Sequence, residues 1–319
     1  MIEMGMGLAV GMILAGLVAL YLGAEGLVKG ASAFALRLGI TPLVVGLTVV
    51  AFGTSAPELL VCLIGTDGLS VGNILGSNVA NLALILGAAS LIRPIEVKSR
   101  AVRRDIPIML AATALFMVLA MDGTLSRIDG GILLFAMALY LGYTFIEARR
   151  DMDQMQEIIG DELEDIDPNK HSSIIDWLLI AGGIVGLAIG AKFMVDGSIF
   201  VAREFGISDL VIGISIVALG TSLPELATSL VAAFRDEIDI SVGNVIGSNI
   251  FNLLLVMGVV ASIGALVVEE DAIAIDMWVM AGVSIGIWPL LRTGHILDRK
   301  EGAVLLVVYL IYVVSLFLR

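Results

Sequence analysis

Residues that build disulfides and soft-metal sites are almost absent from this sequence. Its 319 residues include one cysteine, Cys62, and two histidines, His171 and His295. A lone cysteine excludes a disulfide framework and a thiolate metal site. Both histidines fall in polar connecting segments. We therefore do not expect a histidine-based metal site or proton relay.

Charge is also scarce. Asp, Glu, Lys and Arg make up 15% of the residues, whereas a typical soluble domain has about 25%. The net charge of −13 disfavours a nucleic-acid partner, because a phosphate backbone requires a basic face. Hydrophobic residues make up 59% of the chain. A soluble fold of this length could not bury that much apolar surface, so we interpret the chain as a polytopic membrane protein in a lipid bilayer.

The hydrophobic runs predict ten transmembrane helices, since a bilayer core requires about 20 apolar residues per helix. The predicted spans are 6–35, 41–64, 69–92, 104–121, 128–147, 175–203, 208–234, 240–267, 274–291 and 301–318. With the N-terminus outside, 13 of the 18 basic residues lie on the inner side. Positive charge stays cytoplasmic, so we expect both termini to be extracytoplasmic. With one cysteine and no transit peptide, a prokaryotic plasma membrane is the simplest location.

Two segments of the chain occur twice. Residues 43–60 (LVVGLTVVAFGTSAPELL) match residues 210–227 (LVIGISIVALGTSLPELA), and residues 70–87 match residues 241–258 at 11 of 18 positions. Each copy covers five spans, an odd number, so the second must enter the membrane upside down. We therefore predict an all-α integral membrane fold of two inverted five-helix repeats, 1–147 and 175–319. Residues 148–174 form an acidic cytoplasmic linker, interpreted as a solvated connection rather than a calcium sensor.

Glu58 and Glu225 occupy matching positions inside spans two and seven. A carboxylate at the centre of a bilayer is costly and indicates a functional site. The surrounding GTSAPE and GTSLPE motifs contain glycine and proline, which weaken a helix. We expect helices 2 and 7 to break there and to release backbone carbonyls, which must find partners in a dry environment. The carbonyls concerned belong to Ala51, Thr54, Ala218 and Thr221.

Spans three and eight are predicted to face these breaks. Residues spaced by four lie on one helical face, and each span has such a polar series: Asn73, Ser77 and Asn81, and Asn244, Ser248 and Asn252. Asn78 and Asn249 lie off this face. They either contribute to the site or bond neighbouring helices, and the sequence leaves both possibilities open.

All of these candidate ligands are hard oxygen donors, which argues against zinc, copper and iron. Calcium takes 6–8 such oxygens. Two glutamates carry a charge of −2, which one calcium ion or two sodium ions would neutralise. An empty, charged site would resist crossing the apolar barrier, and this resistance would couple the two ion fluxes.

The repeated motifs GTSAPE with SVGNILGSNVAN and GTSLPE with SVGNVIGSNIFN resemble the α-repeats of the sodium/calcium exchanger family, over nearly the whole chain. The resemblance implies a central cation site formed by Glu58 and Glu225 with the carbonyls of Thr54 and Thr221, and Asn81 and Asn252 lining the middle. It implies exchange of three sodium ions for one calcium ion, which is electrogenic. It also implies that spans one and six slide across the core. The flanking sodium sites implied are those of Ser55, Ser222, Ser77, Ser248 and the carbonyls of Ala51 and Ala218.

Other functions remain open at this stage. Some relatives carry Asp where this chain has Asn81 or Asn252, including potassium-dependent ones, so Asn at both positions favours a potassium-independent exchanger. The alternatives are a proton- or potassium-coupled cation antiporter and, in a different class, a cation channel. An enzyme is not expected, because no histidine lies at membrane depth to complete a protease pair. We expect no cofactor beyond the transported sodium and calcium, and no required protein partner.

Overall fold

The computed structural model describes residues 5–65, 67–159, 173–206, 218–292 and 294–318, and these residues are largely helical. The helices in chain order are α1 (Met6–Leu38), α2 (Pro42–Ile64), α3 (Asp67–Ile92), α4 (Ile106–Ala120), α5 (Arg127–Ile159), α6 (Ser173–Glu204), α7 (Leu223–Phe234, preceded by the single turn Ala218–Thr221), α8 (Ile238–Ile263), α9 (Ala272–Arg292) and α10 (Arg299–Phe317).

Seven of these helices are long and apolar enough to cross a membrane: α1, α2, α3, α5, α6, α8 and α9, with α5 counted over Arg127–Arg150 and α6 over Ile174–Glu204. The prediction of an all-helical membrane protein is therefore confirmed. The count of ten spans stays a prediction, because α4, α7 and α10 are not among these seven helices. Helix α4 has 15 residues and α7 has 12. Two predicted segments lie partly outside the described residues, at 208–217 and at 160–172. Helix α5 continues to Ile159, so the linker expected from residue 148 begins as helix.

Helices α1 and α6 pack against each other along their length with their backbones in contact. The contact is made by glycines seven residues apart on each helix. A Cβ on Gly23 would lie 2.7 Å from the amide nitrogen of Leu187, and one on Gly190 would lie 2.7 Å from that of Leu20. Small residues allow this close approach between membrane helices. The glycines involved are Gly16, Gly23 and Gly30, and Gly183, Gly190 and Gly197.

The other helices surround α3 and α8, which are the most buried of the membrane-length helices. Helix α8 packs against α2 and α5, and α3 packs against α7 and α10 in the corresponding way. Each of the two central helices contains a π-helical stretch, at Ala80–Ile85 and at Phe251–Val256. A π-helical stretch widens the turn and often marks a functional site.

Short strands tie the two halves of the chain together at its surfaces. Strand β1 (Ile95–Glu96) pairs antiparallel with β4 (Ile296–Leu297), and β2 (Thr124–Leu125) pairs antiparallel with β3 (Leu266–Val267). Each pair therefore joins a connection of the first half to a connection of the second half. In the two halves β1 corresponds to β3 and β2 corresponds to β4, so the pair β1–β4 is equivalent to the pair β3–β2.

We expect Gly243→Ala to destabilise the protein. The new Cβ would lie 2.7 Å from the carbonyl oxygen of Leu43 and 2.9 Å from the amide nitrogen of Leu47. Backbone atoms of α2 cannot move away cheaply, and overpacking of this kind typically costs about 1–3 kcal/mol. The midpoint of thermal unfolding in detergent should fall.

Gly131→Ala is the control, because Gly131 is an exposed glycine within helix α5. Among the described residues nothing lies within 4 Å of a Cβ built on it, and alanine is favoured over glycine within a helix. Its unfolding midpoint should be unchanged or higher. Equal losses in both variants would contradict the packing of α8 on α2.

Candidate cation-binding site

Helices α2 and α7 are interrupted at equivalent serines. Ser55 has φ −83° and ψ 2°, and Ser222 has φ −85° and ψ 2°. A proline follows each serine by two residues and lacks the amide donor that would continue the helix. Glu58 and Glu225 then lie in the first turn of the segment after the break, where the helix dipole favours a negative group. The sequence predicted both interruptions, and the structure shows them.

Both glutamates are buried where the two halves of the chain meet. Glu58 is 1% exposed and Glu225 is 0% exposed. The hydroxyl of Ser55 donates to Oε1 of Glu225 at 3.3 Å. The break in one half of the chain therefore contacts the carboxylate of the other half.

Hydroxyl and amide groups extend this contact between the halves in a mirrored pattern. Thr54 donates to Oδ1 of Asn244 at 3.0 Å, and Thr221 donates to Oδ1 of Asn73 at 3.0 Å. Ser222 lies 3.1 Å from Ser77. In the second half Ser248 lies 3.4 Å from the Thr54 hydroxyl. The predicted polar faces of spans three and eight thus lie against the breaks of α7 and α2.

Four asparagines form a second mirrored layer. Nδ2 of Asn81 donates to Oδ1 of Asn249 at 3.0 Å, and Nδ2 of Asn252 donates to Oδ1 of Asn78 at 3.1 Å. All four side chains are 0–1% exposed. The layer lies at the π-helical stretches of α3 and α8, which contain Asn81 and Asn252.

Five buried acceptor oxygens in this region have no hydrogen-bond partner among the described residues. They are both carboxylate oxygens of Glu58, Oε2 of Glu225, and Oδ1 of Asn81 and of Asn252. A buried acceptor without a partner is costly, and each such group requires an explanation. A bound cation supplies one, because it satisfies several acceptors at once. Within the described residues no group of three His, Cys, Asp or Glu side chains could hold a metal ion, so amide and hydroxyl oxygens would have to complete the shell.

The backbone carbonyls differ from expectation at one position. The oxygen of Ala51 accepts from the amide of Ser55 at 3.0 Å and from the Thr54 hydroxyl at 3.3 Å. It is therefore not released by the break, because Ser55 keeps its helical hydrogen bond although its own dihedral angles end the helix. At the second break the amide of Ser222 bonds to Leu219 instead, at 3.2 Å. The two breaks are thus similar but not identical in their hydrogen bonding.

Ser229 and Cys62, which were not proposed as site residues from the sequence, support the site. Asn244 donates to Ser229 at 3.0 Å and to the carbonyl of Glu225 at 3.3 Å. Asn73 donates to the sulfur of Cys62 at 3.8 Å. Cys62 and Ser229 both follow their glutamate by four residues, so they are equivalent in the two repeats. The equal spacing from the glutamates could have identified the two positions as equivalent, although one is a cysteine and the other a serine.

The site is therefore a buried centre between two halves of a membrane protein, lined by two carboxyl groups and by hydroxyl and amide oxygens, and such a centre is typical of a cation transporter. The family model described as "Sodium/calcium exchanger protein" matches residues 8–146 and 175–318. The chain belongs to the sodium/calcium exchanger family.

Individual relatives agree with this membership. The chain is 37% identical to the putative antiporter CaxA of Alkalimonas amylolytica, over 96% of this chain and 97% of that protein. It is 34% identical to the sodium/calcium exchanger MaX1 of Methanosarcina acetivorans, over 96% and 97%. The solved structure of the sodium/calcium exchanger from Methanococcus jannaschii superposes with a TM-score of 0.83 at 32% identity, covering 97% of this chain and 99% of that one. These relatives are transporters and not enzymes.

We expect Cys62→Ser to leave the protein as stable as the wild type, because serine occupies the equivalent position 229 and can accept from Asn73. Cys62→Val removes the acceptor and should lower stability by about 1 kcal/mol. Thermal unfolding in detergent measures both, with Ser229→Cys as the mirrored control. If Cys62→Ser were as unstable as Cys62→Val, the supporting role of Cys62 would be wrong.

Proposed function

We propose that the chain exchanges sodium for calcium across the plasma membrane by alternating access at the site around Glu58 and Glu225. The observation that carries the proposal is the set of buried, unpartnered acceptor oxygens where the two halves meet. These oxygens come from both halves, so an ion bound there holds the halves together. The printed names of MaX1 and of the Methanococcus jannaschii structure support the choice of ions.

The charge of the site explains why the two fluxes would be coupled. Glu58 and Glu225 contribute −2 when ionised, which one calcium ion or two sodium ions neutralise. An empty site keeps its charge in a dry interior, which is costly, so the empty protein changes its access slowly. A third sodium ion gives a 3:1 exchange that moves one net positive charge in each cycle.

We assign the ligands as the sequence predicted them. Glu58 and Glu225 with the carbonyls of Thr54 and Thr221 form the central site. We assign the hydroxyls of Ser55 and Ser222 to the flanking sodium sites, and the contact of each with a group of the opposite half supports the assignment. Ser77, Ser248, Asn81, Asn252 and the carbonyl of Ala218 complete the set, whereas the carbonyl of Ala51 is left out because it keeps its helical hydrogen bond.

We propose that the architecture is ten spans in two inverted repeats. The mirrored hydrogen bonds from Thr54 and Thr221, and the mirrored strand pairs, support this arrangement. The two segments that the family model matches support repeats at 1–147 and 175–319. The distribution of basic residues supports extracytoplasmic termini. Two related halves give two conformations of similar energy, as alternating access requires.

The test is uptake of radiolabelled calcium into sodium-loaded proteoliposomes. We expect uptake by the wild type, and uptake at the level of protein-free liposomes for Glu58→Gln and for Glu225→Gln, because either change removes a charge that calcium requires. Asp196→Asn is the matched control. It makes the same chemical change in an exposed pair with Lys192 on α6, and it should leave uptake unchanged.

The driving ion is identified with the same vesicles. Replacing internal sodium by choline should abolish uptake. An inside-positive membrane potential should speed uptake, because three sodium ions leave for each calcium ion that enters and one net positive charge moves outward. Uptake that follows an imposed proton or potassium gradient instead would favour a proton- or potassium-coupled antiporter. Calcium entry with no counter-ion inside would indicate a channel. Calcium uptake at the wild-type level by either glutamate variant would contradict the assignment of the site.

A further inference from the structure

We propose that Asn78 and Asn249 are positioning residues, which determine that Asn81 and Asn252 present an oxygen rather than an NH2 group to the transported ion. The inference rests on the proposed function, because it concerns the same site. It replaces the possibility that Asn78 and Asn249 are themselves ligands.

The reasoning starts from a backbone carbonyl, which can only accept a hydrogen bond. The side chain of Asn78 faces the carbonyl of Asn249 with its Nδ2 at 3.5 Å, and the same nitrogen lies 3.6 Å from the sulfur of Met280. A thioether is also an acceptor. Both neighbours therefore require the NH2 group of Asn78 on this side and place its Oδ1 on the opposite side.

The fixed oxygen of Asn78 then orients the next amide. It accepts from Nδ2 of Asn252 at 3.1 Å. Because the nitrogen of Asn252 is committed to this bond, its oxygen lies at the other end of the amide. That oxygen is buried and has no partner among the described residues. The order of atoms thus follows from the carbonyl of Asn249 alone.

The equivalent contacts start from the carbonyl of Asn78 and orient the amide of Asn81. Nδ2 of Asn249 lies 3.4 Å from the carbonyl of Asn78 and 3.7 Å from the sulfur of Met109. Oδ1 of Asn249 accepts from Asn81 at 3.0 Å, and Oδ1 of Asn81 is the second unpartnered amide oxygen. Each half of the protein therefore orients the amide of the other half.

The orientation matters because the two ends of an amide have opposite effects on a cation. The oxygen binds the ion, and the NH2 group repels it. Asn81 follows Asn73 and Ser77 on one face of α3, and those two residues contact the break of α7, so we place the free oxygen of Asn81 on the side of the ion site. The oxygens of Asn78 and Asn249 already accept hydrogen bonds from Asn252 and Asn81, which leaves them less available to an ion than the unpartnered oxygens.

The test is a double-mutant cycle on calcium binding, measured by titration calorimetry on the purified full-length protein in detergent without sodium. Asn249→Leu should raise the Kd for calcium about tenfold, because Asn81 loses the partner that orients it. Asn81→Ala should raise the Kd by at least as much. In the Asn81→Ala background, Asn249→Leu should change the Kd less than twofold, since it acts only through Asn81. The maximum transport rate of Asn249→Leu at saturating calcium should stay close to that of the wild type.

A control variant and a mirrored cycle complete the test. Ser90→Ala removes another buried hydrogen bond, from Ser90 to the carbonyl of Gly87 at 2.8 Å, and should leave the Kd unchanged. The mirrored cycle of Asn78→Leu with Asn252→Ala should give the same pattern, and it serves if Asn249→Leu does not fold.

The outcomes separate this inference from the proposed function. Glu58→Gln should bind no calcium, and binding by that variant would overturn the proposed site itself. If Glu58→Gln fails to bind, but Asn249→Leu binds as the wild type does, the positioning role is wrong and the site stands. The same conclusion follows if Asn249→Leu has equal effects with and without Asn81.

Discussion

Two carboxylates in a dry interior impose the central constraint on this molecule. Glu58 and Glu225 are fully buried, and three of their four oxygens have no hydrogen-bond partner among the described residues. Burying an unpaired charge is far more costly than burying a hydroxyl or an amide. The surrounding structure reduces this cost by helix ends and by hydroxyl groups such as Ser55, but it leaves these three oxygens without a partner. The features around the glutamates follow from this requirement.

Irregular backbone structure around the two buried glutamates helps to accommodate them. Broken helices are tolerated there only where protein or a polar cavity covers them. The breaks at Ser55 and Ser222 are covered by α8 and α3, and the glycines at 243 and 247 bring α8 within backbone contact of α2. The π-helical stretches of α3 and α8 supply the next layer of amides.

Repetition made it possible to predict from the sequence which polar residues lie together. Glu58 and Glu225 stood out because each is a charge within an apolar run, and the fourfold spacing placed Asn73, Ser77 and Asn81 on one face. The direction of each hydrogen bond could not be predicted, because it depends on how two distant segments meet. Asn78 and Asn249 are the clearest case, since each amide is oriented by a carbonyl 171 residues away. The role of Cys62 was hidden because its equivalent, Ser229, is chemically different.

The packing of α1 on α6 was also not predicted from the sequence, although its glycines recur every seven residues in both halves. The backbones of the two helices touch at Gly16, Gly23 and Gly30 and at the three equivalent glycines of α6. Neither helix can shift along the other without driving a glycine against bulkier neighbours such as Leu20 or Leu27. The two helices therefore form one rigid unit, and we infer that they move together in the alternating-access cycle proposed above. Access from the two sides of the membrane would then change in a single step, which would prevent a continuous leak path for ions.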